Sequence, residues 1–282
     1  ERPSHSMVPY KAPFGCNWIQ VQDAILDPLH TAFLHSRMSR EQFSEGFGEI
    51  GEMKFYERPS GYIGTATRRV DDNVWVRVNE LVLPNYTQAG AAFAADGTQQ
   101  RYFGRTAFAR WVVPIDDHET MCFAWAIFGE RGDPEAYNTP EGPELIEQGE
   151  VFDRPYEERQ RFPADVEACE GMGLISEHDK ENLVPSDKGI QMYRRRLRDL
   201  IVGLQGGTEP PHVTATWPNP IPTYGGDTIL NLPPNGDDRD LLQKAGIAVM
   251  DIQFDAESKT GAERDTQVIA ALKILEQEGL SA

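Results

Sequence analysis

Asp27-Pro28-Leu29-His30-Thr31-Ala32-Phe33-Leu34-His35 places two imidazoles and a carboxylate within one short stretch of a chain that has only six His. Two His and one carboxylate, with coordination positions left over, are the donors that hold non-haem Fe(II) for O₂ chemistry. The spacing sets a geometric condition. Residues five apart on an ideal α-helix lie about 140° apart around its axis, so His30 and His35 do not share a face. Asp27 and His30, three apart, do. One metal can take both imidazoles only where the helix loosens, and a π-type turn brings positions i and i+5 nearly into line. Pro28 suits a first turn, so the spacing predicts a helix that restarts at Asp27.

Working outward, residues 1–22 read as an entry loop leading to a strand, and 23–36 as the helix bearing the His pair. Residues 50–130 read as β. Alternating apolar segments fall at 52–58, 61–70, 73–83, 86–94, 101–114 and 119–129. Turn signals separate them at Pro59-Ser60-Gly61, Asp71-Asp72-Asn73, Ala95-Asp96-Gly97 and Asp116-Asp117-His118. This pattern predicts an antiparallel meander of about six strands with one face buried. Residues 130–163 are broken by Gly and Pro and read as a long loop, either functional, such as a lid over a substrate, or disordered. A short helix is expected at 164–172. A long one is expected at 187–204, with Ile190, Tyr193, Leu197, Leu200, Ile201 and Leu204 as its stripe. Ser186 suits its N-cap and Gly206-Gly207 its end. The Pro-rich segment 208–236 reads as extended surface, and a final helix as 265–278, closing at Gly279.

Composition narrows the function classes. A formal net charge of −18 argues against nucleic acid and anionic membrane as partners. Hydrophobic residues make up 39% of the chain, enough for a core. Cys16, Cys122 and Cys169 have no framework spacing, which points to a reducing cytoplasm. No apolar run has the length of a membrane span or signal peptide. Arg194-Arg195-Arg196 reads either as a salt-bridged outer face or as a docking patch for an acidic redox protein.

The stretch at 27–35, with Asn17-Trp18-Ile19-Gln20 before it and Ser36-Arg37 after it, resembles the iron-binding helix of Rieske non-haem iron oxygenases. There Asp-x2-His-x4-His supplies both histidine ligands. Acidity alone cannot pick the third ligand among 45 acidic residues. Asp165-Val-Glu167-Ala-Cys-Glu170-Gly-Met172-Gly173, followed by Ser186-Asp187 and Arg194-Arg195, is similar to the phthalate-dioxygenase-like branch. On that match Asp165 is the carboxylate ligand, with Glu167 and Glu170 as local rivals. The resemblance also implies that Asp27 is no ligand. It would bridge toward the Rieske cluster of a neighbouring subunit and steady a ligand imidazole, a role that stands beside simple helix capping. Asp23 and Asn17 fall where they would support the same network.

The resemblance covers roughly residues 5–130 and 160–205. It implies an α+β helix-grip (START/Bet v1-like) fold, a curved antiparallel sheet around a long helix. Residues 1–282 would form a mononuclear non-haem iron catalytic domain, with 208–282 as a C-terminal extension of it. The chain lacks the Cys-x-His and Cys-x-x-His pair that a Rieske [2Fe–2S] cluster needs. That cluster is therefore expected on an N-terminal domain missing from this chain, or on a separate chain. The implied activity is O₂-dependent hydroxylation or O-demethylation of a small aromatic substrate. Electrons would come from NAD(P)H through a ferredoxin or flavin reductase, and the assembly would be a homotrimer or stacked trimers. Two other readings use the same residues: a hydrolase with Zn²⁺ at the triad, and a non-enzymatic helix-grip module for an apolar ligand. Arg77, Arg110 and Tyr86 could meet a substrate carboxylate or phenol and stand outside the core site.

Overall fold

The computed structural model describes residues 6–38, 45–90, 102, 106–128, 154–210 and 220–280. The alternating segments become strands: β2 Glu52–Arg58, β3 Gly61–Val70, β4 Asn73–Val82, β5 Tyr86–Ala89, β6 Phe108–Pro114 and β7 Thr120–Phe128. Each pairs antiparallel with the next in sequence. One further strand forms within residues 1–22, where an entry loop leading to a strand was expected, and another falls where only extended surface was expected. β1, Ser6–Phe14, pairs with β7 along its whole length despite Pro9 and Pro13. Among the described strands it is one edge of the sheet, where Pro costs no ladder bond on its outer side. β8, Gly226–Asn231, lies inside the segment read as extended surface. It shares one edge of β4 with β5: residues 73–78 of β4 pair with β8, and 79–82 with β5.

Period-two alternation splits this sheet into two faces. Tyr62, Leu81 and Ala89 pack with Ile25, Leu26 and Tyr193 on one face, which carries the residues described in the next subsection. Ile63, Val74, Val76 and Val78 face the other way, onto Leu230, Leu241, Ala245, Val249 and Met250. The last four belong to helix Asp238–Asp255, which the sequence reading did not anticipate. Its apolar stripe lies next to the Pro-rich segment and has weak contrast between faces. The final helix, Gly261–Glu278, starts earlier than expected but ends at Gly279 as read.

The helix Lys188–Gln205 forms where expected. Only its first half is buried, through Ile190 and Tyr193, while Ile201 and Leu204 are exposed. Ser186 does not cap it: the N-cap is Asp187, whose carboxylate accepts instead from the Val184 N–H. Of the expected lid, residues 130–153 lie outside the described residues, as do 91–94 of the expected fourth strand and 101 and 103–105 of the fifth. At its described end the loop gives way to a helix, Tyr156–Arg161.

Gly246 shows how closely the Asp238–Asp255 helix is seated. A Cβ there would lie 2.4 Å from the Thr67 hydroxyl of β3. Gly246→Ala is expected to cost about 1–3 kcal/mol by overpacking, a fall in Tm of several degrees by calorimetry. An unchanged Tm would place this helix off the core.

Glu80 of β4 is wholly buried on the same face. It accepts hydrogen bonds from the Tyr224 and Gly225 N–H groups and from Gln88, at 2.6, 3.1 and 2.8 Å. Burial pushes its carboxyl up to about 7, against the pull of those three donors. The folded state therefore holds this proton across a window, from the ordinary carboxylate range to about pH 7, in which the unfolded chain has lost it. Stability contributed by Glu80 is present at the acid end and is lost as pH rises through that window. Glu80→Gln should flatten this part of the Tm–pH profile, gaining on the wild type toward pH 8. Parallel profiles would show that Glu80 titrates normally.

Candidate metal centre

The His-bearing segment breaks where its spacing requires. α1, Trp18–Asp23, gives way to a 3₁₀ turn Ala24–Leu26, then to α2, Pro28–Ala32, and then to a π-helical run Phe33–Met38. Asp27 is the N-cap of α2, its Oδ1 accepting from the Leu29 and His30 N–H groups at 2.9 and 3.3 Å. Pro28 occupies the first turn. The looser pitch after Ala32 swings His35 back toward His30, and the two rings meet edge to face with centroids 5.3 Å apart.

α4, Asp165–Gly171, brings the carboxylate; α3 is the Tyr156–Arg161 helix preceding it. Asp165 Oδ1 lies 3.8 Å from His30 Nε2 and 3.3 Å from His35 Nε2. One donor atom from each of the three residues falls within 4.8 Å of the others. Among the described residues, this is the one cluster of three or more His, Cys, Asp or Glu side chains arranged to share a metal ion.

The rival carboxylates point elsewhere. Glu167 turns back to the N-terminus of α4, accepting from the Ala164 N–H at 2.7 Å and pairing with Arg154 and Arg159 at 2.9 and 2.7 Å. Glu170 pairs with Arg159 and accepts from the Gly15 N–H, both at 2.9 Å. Asp23 accepts from Arg194, which also holds Glu181 at 2.6 Å. Burial pushes the Asp23 carboxyl up to about 7, with Arg194 pulling it back. Of the Arg triplet, Arg194 thus turns inward to tie α1 to the Lys188–Gln205 helix, α5. Asn17 caps α1 and donates to the Asp117 carbonyl, and touches no ligand.

Gln20 and Arg68, to which the sequence assigned no role, hold the cluster in place. Gln20 donates to the Cys169 and Gly173 carbonyls and accepts from the Ser176 N–H, each at 3.0 Å, clamping α1 to α4. Arg68 of β3, fully buried, reaches Thr31 Oγ1 at 3.0 Å and the Glu49 carbonyl at 2.9 Å, pinning the turn that bears His30. Local sequence carries no signal for these partners, which lie far apart along the chain. Arg77 and Arg110, on the sheet beneath, are buried and electrostatically close to Asp165. Tyr86 lies on the opposite face of the sheet, against Trp111.

The donor set fits a resident divalent metal. His30 Nδ1 is hydrogen-bonded to the Asp27 carbonyl, which fixes its proton on Nδ1 and leaves the Nε2 lone pair facing Asp165. Burial pulls His30 below the ordinary histidine range, so it stays a neutral donor. Burial opposes a charge on Asp165, yet the hydrogen bond and charge of His35, with Arg110, hold it well below the ordinary carboxylate range. The carboxylate is thus ionised in a place that demands positive charge. Neutral imidazole nitrogens and a carboxylate oxygen suit Fe(II) and Zn²⁺ alike.

The chain is 34% identical, over 292 aligned positions, to the tert-butanol monooxygenase / tert-amyl alcohol desaturase oxygenase subunit of Aquincola tertiaricarbonis, covering 96% of this chain and 61% of that one. It is 31% identical over 195 positions to the phenoxybenzoate dioxygenase subunit alpha of Ectopseudomonas oleovorans, covering 69% and 44%. The chain thus spans less than two thirds of the length of these relatives. In fold it is similar to dicamba monooxygenase bound to dicamba, with a TM-score of 0.50 at 13% identity, over 73% of this chain and 61% of that one. No protein-family model matches the chain.

Proposed function

Because the chain belongs with the oxygenase subunits of the Rieske-type oxygenases, we propose that it is their mononuclear iron catalytic domain, with His30, His35 and Asp165 as the iron ligands. The observation that carries this reading is the π-helical run that brings an i, i+5 His pair onto one carboxylate. π-turns in helices are rare and cluster at functional sites. Bound there, Fe(II) would supply O₂ activation beside an organic substrate.

The chain's own residues prepare the place. The Asp27 carbonyl orients His30, Arg68 and Thr31 hold the turn beneath it, and Gln20 locks the helix of Asp165 against α1. Asp165 would meet the metal as an anion. Asp27, through its carboxylate, is the proposed relay toward a reduced cluster. We place that [2Fe–2S] cluster outside these 282 residues, since three buried free cysteines offer it no ligand set. The proposed activity is hydroxylation or O-demethylation of a small aromatic substrate, with NAD(P)H as electron source through a ferredoxin or flavin reductase. We further propose a homotrimer or stacked trimers, and a cytoplasmic setting. Among the described residues no helix is long and apolar enough to cross a membrane.

Anaerobic reconstitution with Fe(II) and Zn²⁺ in competition tests the metal, followed by nitric oxide and EPR spectroscopy. Near-stoichiometric iron with a high-spin iron–nitrosyl signal is expected, because that signal requires iron with an open position. Retention of zinc alone would favour the hydrolase reading. Retention of neither metal would favour a ligand-binding module.

A further inference from the structure

On the sheet face opposite the metal centre, a cleft of about 410 Å³ opens between β5, β6 and β7 and the first turn of the Gly261–Glu278 helix, α7. Its wall is an aromatic corner. Tyr86 and Trp111 have ring centroids 4.9 Å apart at 56°, and Trp111 and Trp125 5.3 Å apart at 77°. These rings come from three neighbouring strands and leave parts of their faces to solvent, Trp111 at 37% and Trp125 at 36%. The small residues Ala109 and Gly225 line the cleft beside them and leave it room.

The floor is polar and built. Gln88 is 5% exposed, takes the Tyr86 hydroxyl on Oε1 at 3.0 Å, and donates from Nε2 to Glu80 at 2.8 Å. An amide has two donor hydrogens and an acceptor oxygen with two lone pairs, so each of these atoms keeps one further site. Thr106, also in the lining, is turned away, donating to the Gly225 carbonyl at 2.7 Å. The two formal charges in the lining, Arg264 and Asp265, have opposite signs.

We propose that this cleft is a second binding site, independent of the metal, for a neutral planar aromatic molecule of one or two rings that bears a hydroxyl. The volume is in the range of small-molecule clefts, which are largely apolar with a few placed polar groups. Offset or edge-on packing against Trp111 and Trp125 favours a flat π-system over a saturated ring. The offsetting charges of Arg264 and Asp265 give no net pull on an ion. The Gln88 amide can accept from and donate to a phenolic O–H at the buried end.

The test is calorimetric titration of the metal-free protein with 2-naphthol, 2-naphthoate and cyclohexanol. Saturable binding of 2-naphthol is expected, with the other two at least severalfold weaker. Trp111→Ala should weaken 2-naphthol by about tenfold, the range of one aromatic pair. Ala109→Leu, which fills the cleft rather than emptying it, should abolish binding in a chain whose circular dichroism is unchanged. His30→Ala should bind as the wild type does. Loss of binding in His30→Ala would move the ligand to the metal face and overturn the proposal. So would equal affinity for cyclohexanol, or no saturation at millimolar 2-naphthol. A smaller oligomer for Trp111→Ala in light scattering would make the cleft a contact between copies of the chain, and would overturn it as well.

Discussion

Asp165→Ala is expected to strip the chain of iron, while Glu170→Ala keeps it. Asp165 is the carboxylate that approaches both His30 Nε2 and His35 Nε2, and no third protein ligand would remain. Losing even an outer partner of a ligand typically costs 10–100-fold in metal affinity, so losing a ligand should cost more than about 100-fold. Glu170 is committed to Arg159 and the Gly15 N–H, and its loss should change iron content little. Glu167→Ala should also keep iron, yet lower Tm, because Glu167 closes the N-terminus of α4 and holds two arginines. Iron analysis after anaerobic reconstitution, with unfolding curves on the same samples, separates the three. If Asp165→Ala holds full iron and Glu170→Ala does not, the third ligand is misassigned.

Asp27→Asn in the complete oxygenase is expected to leave iron in place and to slow transfer of electrons from cluster to iron by more than about 100-fold. The carboxylate now caps α2, accepting from the Leu29 and His30 N–H groups. Asn caps about as well as Asp, so fold and iron content should survive. The bond that orients His30 comes from the Asp27 backbone carbonyl, which the substitution does not remove. What disappears is the negative charge. If Asp27 links the iron ligands to an incoming cluster, that charge is the link. Stopped-flow reoxidation of the reduced cluster isolates the step, with Asp27→Ala as the variant that loses cap and charge together. Wild-type reoxidation in Asp27→Asn would leave Asp27 a helix cap only.

The strands at 52–58 and 61–70 were legible almost to the residue, because alternation and turn residues act locally. The same holds for the helix restart at Pro28 and for the π-helical run. Two imidazoles five apart are of use to one metal only if the helix is underwound, and that condition is visible before any fold is known. The early start and the partner of β1 were not legible, nor was β8 at all. Pro9 and Pro13 disguise an edge strand, and β8 is short and flanked by Pro-rich sequence, so only its partner β4 identifies it. The helix Asp238–Asp255 escaped for a related reason: its role is set by the close approach of Gly246 to Thr67, a contact spanning most of the chain.

Sequence by itself therefore determined local features: the bounds of the strands at 52–58 and 61–70, which imidazoles are candidate donors, and the pitch that brings them together. It could name Asp165 only through resemblance, because Asp165, Glu167 and Glu170 are alike in type and close in sequence. Tertiary structure separates them by position. Arg154, Arg159 and Gly15 draw the two glutamates away, and Gln20 docks α4 so that Asp165 alone meets the histidines. A metal site needs atoms within a few ångströms of one another, and distances between residues more than a hundred positions apart are fixed by packing and long-range hydrogen bonds, which no local pattern encodes.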